Sequence, residues 1–167
     1  ALEQQRLEAP ITAYEVVVVD DGSTDQTVPW LLANSAQLPH VRLVQQDHGG
    51  PAEGRNRGVD HARGDVIVFI DSDLVVTDTF LISHARRLEQ TWQQRGDRLC
   101  FTYGAVINTA NFEEPTSEPH KLSDLSWAYF ATGNVAIDRE VLERSGLFDT
   151  RFRLYGWEDL ELGERLR

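Results

Sequence analysis

Two stretches of this sequence are apolar without interruption and then stop on paired acids. Val16–Val19 runs into Asp20 and Asp21, and Val66–Ile70 runs into Asp71 and Asp73. Alternate side chains of a strand point to opposite faces, so a strand apolar at every position has two faces to bury. Such strands belong to parallel sheets covered by helices, and their connections are right-handed helical crossovers. The intervening segments fit. Val41–Val44 and Leu99–Ile107 read as further strands, and residues 127–137 as an extended segment interrupted by Thr132, Gly133 and Asn134. Asp25 is placed to cap a helix through about Ala36, and the glycine-rich loop at residues 47–58 leads into a helix closing near Gly64. Thr77 or Asp78 caps a longer helix whose Leu81, Ala85, Leu88 and Trp92 form one apolar stripe, while Asp138–Ser145 is a short helix stopped by Gly146. Leu2–Ala9 reads as a helix tail ended by Pro10, and Glu158 opens a final helix. The fold class expected is α/β.

In such sheets ligands bind outside the carboxyl ends of the strands. Asp20, Asp21, Asp71 and Asp73 all lie there, so the pattern predicts an acidic rim. Side-by-side carboxylates repel one another and are costly to desolvate, which leaves water, a cation or hydrogen-bond donors to hold them. Asp71 and Asp73 are two apart, so in an extended segment both project to one side. Two oxygen ligands suit a hard ion, Mg²⁺ or Mn²⁺, whose shell is completed by water and phosphate oxygens. The alternative for Asp-Ser-Asp alone is a solvated turn. None of His40, His48, His61, His84 and His120 has metal-ligand spacing with another.

Charge excludes one large class of partner. Sixteen Lys and Arg against 27 Asp and Glu leave a net charge of -11 in 167 residues, which repels a nucleic-acid backbone. The length suits one domain. The single cysteine, Cys100, cannot pair within the chain, which favours a reducing compartment, and its expected role is that of a small buried apolar residue. No apolar run approaches the roughly 20 residues that span a bilayer. The sequence contains no methionine, so an excerpt of something longer is expected.

Four collinear segments carry a resemblance. "VVVVDDGSTDQT", "PAEGRNRGVDHARGDVIVFIDSD", "ATGNVAIDREVLERSGLFDTRF" and "YGWEDLELGERL" resemble, in order and spacing, the family 2 nucleotide-sugar glycosyltransferases of the GT-A fold. The resemblance implies a Rossmann-like three-layer α/β/α architecture with a mostly parallel sheet. It implies one glycosyltransferase domain over 1–167, without the family's opening strand and stopping soon after the "WED" helix begins. Asp20, Asp21 and Gly22 are then expected at the nucleoside, Arg55 near the base and phosphates, Asp71 near the ribose, and Asp71 with Asp73 at a Mg²⁺ or Mn²⁺ ion on the diphosphate. Asp159 matches the family's catalytic base, with Glu158 beside it. A base is needed because a neutral hydroxyl is a poor nucleophile, although a helix N-terminus stabilises a carboxylate and weakens it in that role. Gly133 and Asn134 are expected to border the donor sugar, and Trp157, with Trp127, to stack on a ring; Trp30 and Trp92 are expected in the core.

The function implied is metal-dependent, inverting transfer of a sugar from a nucleotide diphosphate donor, UDP by family frequency, to a hydroxyl of a glycan, lipid or other acceptor. The alternative is a catalytically idle nucleotide-sugar-binding module of a larger polysaccharide-synthesis protein. A cytoplasmic location is expected, with peripheral membrane association left open. Without the opening strand, poor transfer by this chain alone is expected. A dinucleotide-binding dehydrogenase is disfavoured because no Gly-X-Gly-X-X-Gly follows a strand.

Overall fold

The computed structural model describes residues 2–111, 113, 114, 117, 130–152 and 156–167; Trp127 and His120 lie outside them. The first unit is β1 (Val16–Asp20), α1 (Thr27–Ala33) and β2 (Val41–Gln45). The two strands pair in parallel, Val16 opposite Val41 through Asp20 opposite Gln45, as a helical crossover requires. Next come α2 (Pro51–His61), β3 (Val66–Ile70), α3 (Phe80–Arg95) and β4 (Phe101–Tyr103), then β5 (Asn134–Asp138), α4 (Arg139–Arg144) and α5 (Glu158–Arg165).

The α/β class stands, but among the described residues only β1 and β2 are a parallel pair. The second sheet has the order β3-β5-β4, with β5 antiparallel to both neighbours. β3 and β4 therefore run the same way, as their helical connection through α3 demands, and the chain then runs back between them. An antiparallel insertion needs no crossover helix, so the apolar pattern of "NVAID" does not announce its direction. β1 is also less covered than its four valines imply: Val16–Val19 are half-buried.

Three further expectations change. The N-terminal segment holds one 3-10 turn, Leu2–Gln4, in place of a helix tail. Gln5 there donates to the Thr77 carbonyl (2.7 Å) and accepts from the Leu81 amide (2.9 Å). A side chain remote in sequence thus serves the first turn of α3, which has no side-chain cap of its own. Trp30 is 57% exposed, because α1 is seven residues long and buries none of them. Trp92 is half-buried, with the Arg98 guanidinium 4.7 Å above its ring. β4 is three residues, far shorter than the span 99–107.

The core lies where β3, β5, α2, α4 and α5 meet: Ala52, Val59, Ile67, Phe130, Val135, Ile137, Leu142, Phe148 and Leu162. Phe69 packs edge-on to Phe130 and Phe148, at centroid separations of 6.2 and 5.3 Å. Each fully buried large side chain contributes about 1.5–3 kcal/mol. α2 ties the two sheets together. Its last-turn carbonyls accept from Arg139 (at Val59 and Ala62) and Arg42 (at His61), and these arginines come from α4 and β2.

Candidate active site

At the end of β1, Asp20 is buried and accepts from the Ser23 amide (3.1 Å). Asp21 is fully engaged. One oxygen accepts from Gln46 Nε2 (2.7 Å) and the Gly49 amide (2.8 Å), the other from the Gly50 amide (2.9 Å), and His48 Nδ1 stands 2.9 Å from that second oxygen. Burial raises the pKa of Asp21, but these donors outweigh it and the net shift is downward. Expected at the nucleoside, the Asp21 side chain instead pins the loop that leads into α2. Gly22, at φ +83°, turns the chain where a Cβ would meet the His48 amide at 3.2 Å. Asp20, Gly22, Ser23, Gln45, Gln46 and Asp47 line an open cleft of about 480 Å³.

The end of β3 is built differently. Asp71 is half-buried, and among the described residues no hydrogen bond reaches its carboxylate; Asp73 is exposed. Burial raises the pKa of Asp71; Arg55 opposes this, and the charges of Asp73 and Asp159 add to it. Asp159, 86 positions from Asp73 in sequence, thus reaches the same neighbourhood. Asp159 Oδ2 accepts from the Thr132 amide (3.1 Å) and the Thr132 hydroxyl (2.8 Å). Its Oδ1 is buried with no hydrogen-bond partner, and Arg55 Nη1 stands 3.6 Å away.

Arg55 has one close partner here. Its Nη1 donates to Glu158 Oε1 at 2.6 Å, and its guanidinium lies 5.6 Å from the centre of the Phe148 ring. Glu158 is 0% exposed, and its other oxygen accepts from the Gly156 and Trp157 amides (2.9 and 3.0 Å). Burial raises its pKa, but the backbone donors and Arg55 outweigh that and hold it below the ordinary range. Expected as a catalytic partner of Asp159, Glu158 is a sealed structural carboxylate. The same contact ties Arg55, on α2, to α5.

The turn before β5 closes with the Asn134 amide donating to the Ala131 carbonyl (3.2 Å). At Gly133 a Cβ would lie 3.0 Å from Asp71 Oδ2, so glycine lets the turn pass against that carboxylate. The Asn134 side chain, expected beside the sugar, is turned elsewhere: its Oδ1 accepts from His84 Nε2 (2.8 Å) and its Nδ2 donates to the Ala105 carbonyl (3.3 Å). Trp157 is 65% exposed at the start of α5, free to meet a ligand. Sequence reasoning missed Thr132. Nothing local marks it, because its partner is 27 residues away.

The residues at β3 fit a divalent cation. Asp71 and Asp73 are hard oxygen donors with no protein partner among the described residues, and the nearest arginine is occupied by Glu158. No group of three or more His, Cys, Asp or Glu that could hold a metal ion occurs among the described residues, so an ion on Asp71 and Asp73 would need water and ligand oxygens for its remaining positions.

Comparison with known proteins settles the lineage. Residues 1–146 match Glycosyl transferase family 2. The chain belongs to that family. The glycosyltransferase YfnE of Bacillus subtilis is 24% identical over 205 residues, an alignment covering 92% of this chain and 52% of YfnE. Among solved structures, the mannosyltransferase PcManGT of Pyrobaculum calidifontis, in complex with GDP-Man and Mn²⁺, superposes with a TM-score of 0.70 at 25% identity, covering 99% of this chain and 45% of that one. TarS 1–349 of S. aureus with UDP-GlcNAc gives 0.65 at 22%, covering 99% and 47%. The fold is the GT-A α/β fold. The chain spans about half the length of these relatives. No helix among the described residues is long and apolar enough to cross a membrane.

Proposed function

We propose that this chain is the donor-binding and catalytic segment of an inverting, metal-dependent glycosyltransferase acting on a nucleoside diphosphate sugar. The observation that carries the reading is the turn at residues 131–134, which holds Asp159 through Thr132 and passes Gly133 against Asp71, a carboxylate short of hydrogen-bond donors on which the charges of Asp73 and Asp159 both bear. A donor with UDP or GDP is supported by what TarS and PcManGT bind. The cleft beside Asp20 has the position and size for the nucleoside, and Trp157 offers an open aromatic face for a sugar ring.

Asp71 and Asp73 would hold Mg²⁺ or Mn²⁺, which neutralises charge developing on the leaving diphosphate. Asp159 accepts the proton of the acceptor hydroxyl as its oxygen bonds to the anomeric carbon and the bond to the diphosphate breaks. Attack from the face opposite the leaving group inverts the anomeric centre. A base placed on the helix N-terminus suffices if the proton moves late, when the sugar already has oxocarbenium character. Arg55 and Glu158 keep α5 and α2 together beneath these groups.

The test uses the full-length protein with UDP-GlcNAc and GDP-mannose, each with Mn²⁺, following nucleoside diphosphate release and the anomer formed. Asp159→Asn should lower turnover by about 10²–10⁴-fold while UDP–Mn²⁺ binding persists by calorimetry. Turnover unchanged by the substitution would sink the base assignment. Binding without turnover in the unsubstituted protein would favour the idle module.

A further inference from the structure

The Asp159 carboxylate is held in an arrangement it would not choose unaided. Oδ1 is buried and has no hydrogen bond, although Arg55 Nη1 stands only 3.6 Å from it. An unpaired buried carboxylate oxygen beside a guanidinium gains by closing to about 2.7–2.9 Å. The gap is under 1 Å, and the other side of the carboxylate shows what keeps it open. Oδ2 accepts two bonds from one residue, the Thr132 amide at 3.1 Å and hydroxyl at 2.8 Å. Thr132 is 2% exposed and follows Ala131 and Phe130, the latter 0% exposed at the centre of the core. Its turn is fixed from both sides, by Phe130 in the core and by Asn134, whose side chain is bound to His84 and Ala105. The anchor cannot drift with the group it holds.

Resting on the reading of Asp159 as the base, we propose that Thr132 is its positioning residue: its hydroxyl holds the carboxylate back from Arg55, in the place from which it meets the acceptor hydroxyl. Without that hydroxyl, Asp159 closes the 3.6 Å separation from Arg55 and becomes hydrogen-bonded to it beside the contact Arg55 makes with Glu158. A carboxylate so paired is displaced from the position in which Thr132 holds it. Thr132 has no part in donor binding in this account, so its loss separates turnover from affinity. The neighbouring Gly133, where a Cβ would crowd Asp71 Oδ2, belongs to the same turn.

The experiment compares Thr132→Val, Thr132→Ser and Asp159→Asn in the full-length protein, with UDP-GlcNAc or GDP-mannose and Mn²⁺, whichever is turned over. Thr132→Val keeps the shape and the amide but removes the hydroxyl donor. It should lower kcat by roughly 10–100-fold, the scale of a sub-ångström to 1 Å misplacement, with donor KM and UDP–Mn²⁺ affinity within twofold. Thr132→Ser restores the hydroxyl and should recover most of kcat. Thr132→Cys, near in volume and a weak donor, is read in the same way if the valine variant is not recovered folded. Wild-type kcat in Thr132→Val, or a serine variant as slow as the valine one, overturns the proposal. Full turnover in Asp159→Asn overturns the assignment of the base itself, an outcome distinct from the first two.

Discussion

The two acidic strand ends look alike in sequence and differ in the folded chain. At β1, Asp21 has three hydrogen-bond donors for its two oxygens and His48 beside them, and its carboxylate is held below its ordinary pKa. At β3, Asp71 has burial and two negative neighbours, with only a shared arginine against them, and its pKa rises. What separates them is the supply of backbone N–H groups. The Gly49–Gly50 segment turns its amides toward Asp21, whereas the turn at residues 131–134 gives its Thr132 amide to Asp159 and passes Asp71 with a bare glycine. The first carboxylate is a structural tie. The second is left short of donors, which is the usual cost of a group kept ready for a ligand.

The most severe way to test this contrast is at the buried tie on α5. Glu158→Ala leaves Arg55 without its close partner and should cost about 3–5 kcal/mol, read as a fall of roughly 10 °C in melting temperature. A fall below 2 °C would mean that the pair does not hold α2 to α5. Asp21→Ala removes the acceptor for the Gly49 and Gly50 amides and should cost about 1–3 kcal/mol by urea melts, weakening UDP binding only through the loop. Asp71→Asn should act in the opposite direction on stability, raising it by on the order of 1 kcal/mol while abolishing Mn²⁺-dependent donor binding. A destabilised Asp71→Asn would show that the carboxylate is already compensated and erase the distinction between the rims.

Acid should sharpen the same comparison. Asp21 and Glu158 have depressed folded-state pKa values, so their stabilisation is present above the unfolded value and is lost as pH falls through the folded one. Asp71 has the opposite sign: its cost appears as pH rises and it ionises. The smallest effect expected is at His84, whose pKa burial lowers against the opposing Asn134 bond. Its neutral form contributes stability above about pH 6.5, and this is lost as pH falls through the folded value. In His84→Gln, chemical melts between pH 7.5 and 5.5 should show a shallower slope than wild type.

Much of this was legible in the chain itself. Val66–Ile70 is the third strand to the residue, Pro51 opens α2 behind Gly50, and the acids that converge were named from motif order. What local pattern could not reveal was which acid is sealed. Glu158 and Asp159 are neighbours on one helix, yet one faces the core and Arg55 while the other faces Thr132. That division depends on partners 103 and 27 residues away. The exposure of Trp30 has the same origin, since an apolar helix residue is buried only where another element covers it. The direction of β5 is a property of the sheet, absent from the five residues that form it.

The tie between Arg55 and Glu158 also has a consequence in time. A ribosome adding about 5–20 residues per second needs roughly 5 to 20 s to travel from the arginine to its glutamate. Throughout that interval the nascent chain carries a cation destined for the interior without its closest partner, and the corner around Asp159 takes shape only when α5 emerges and docks.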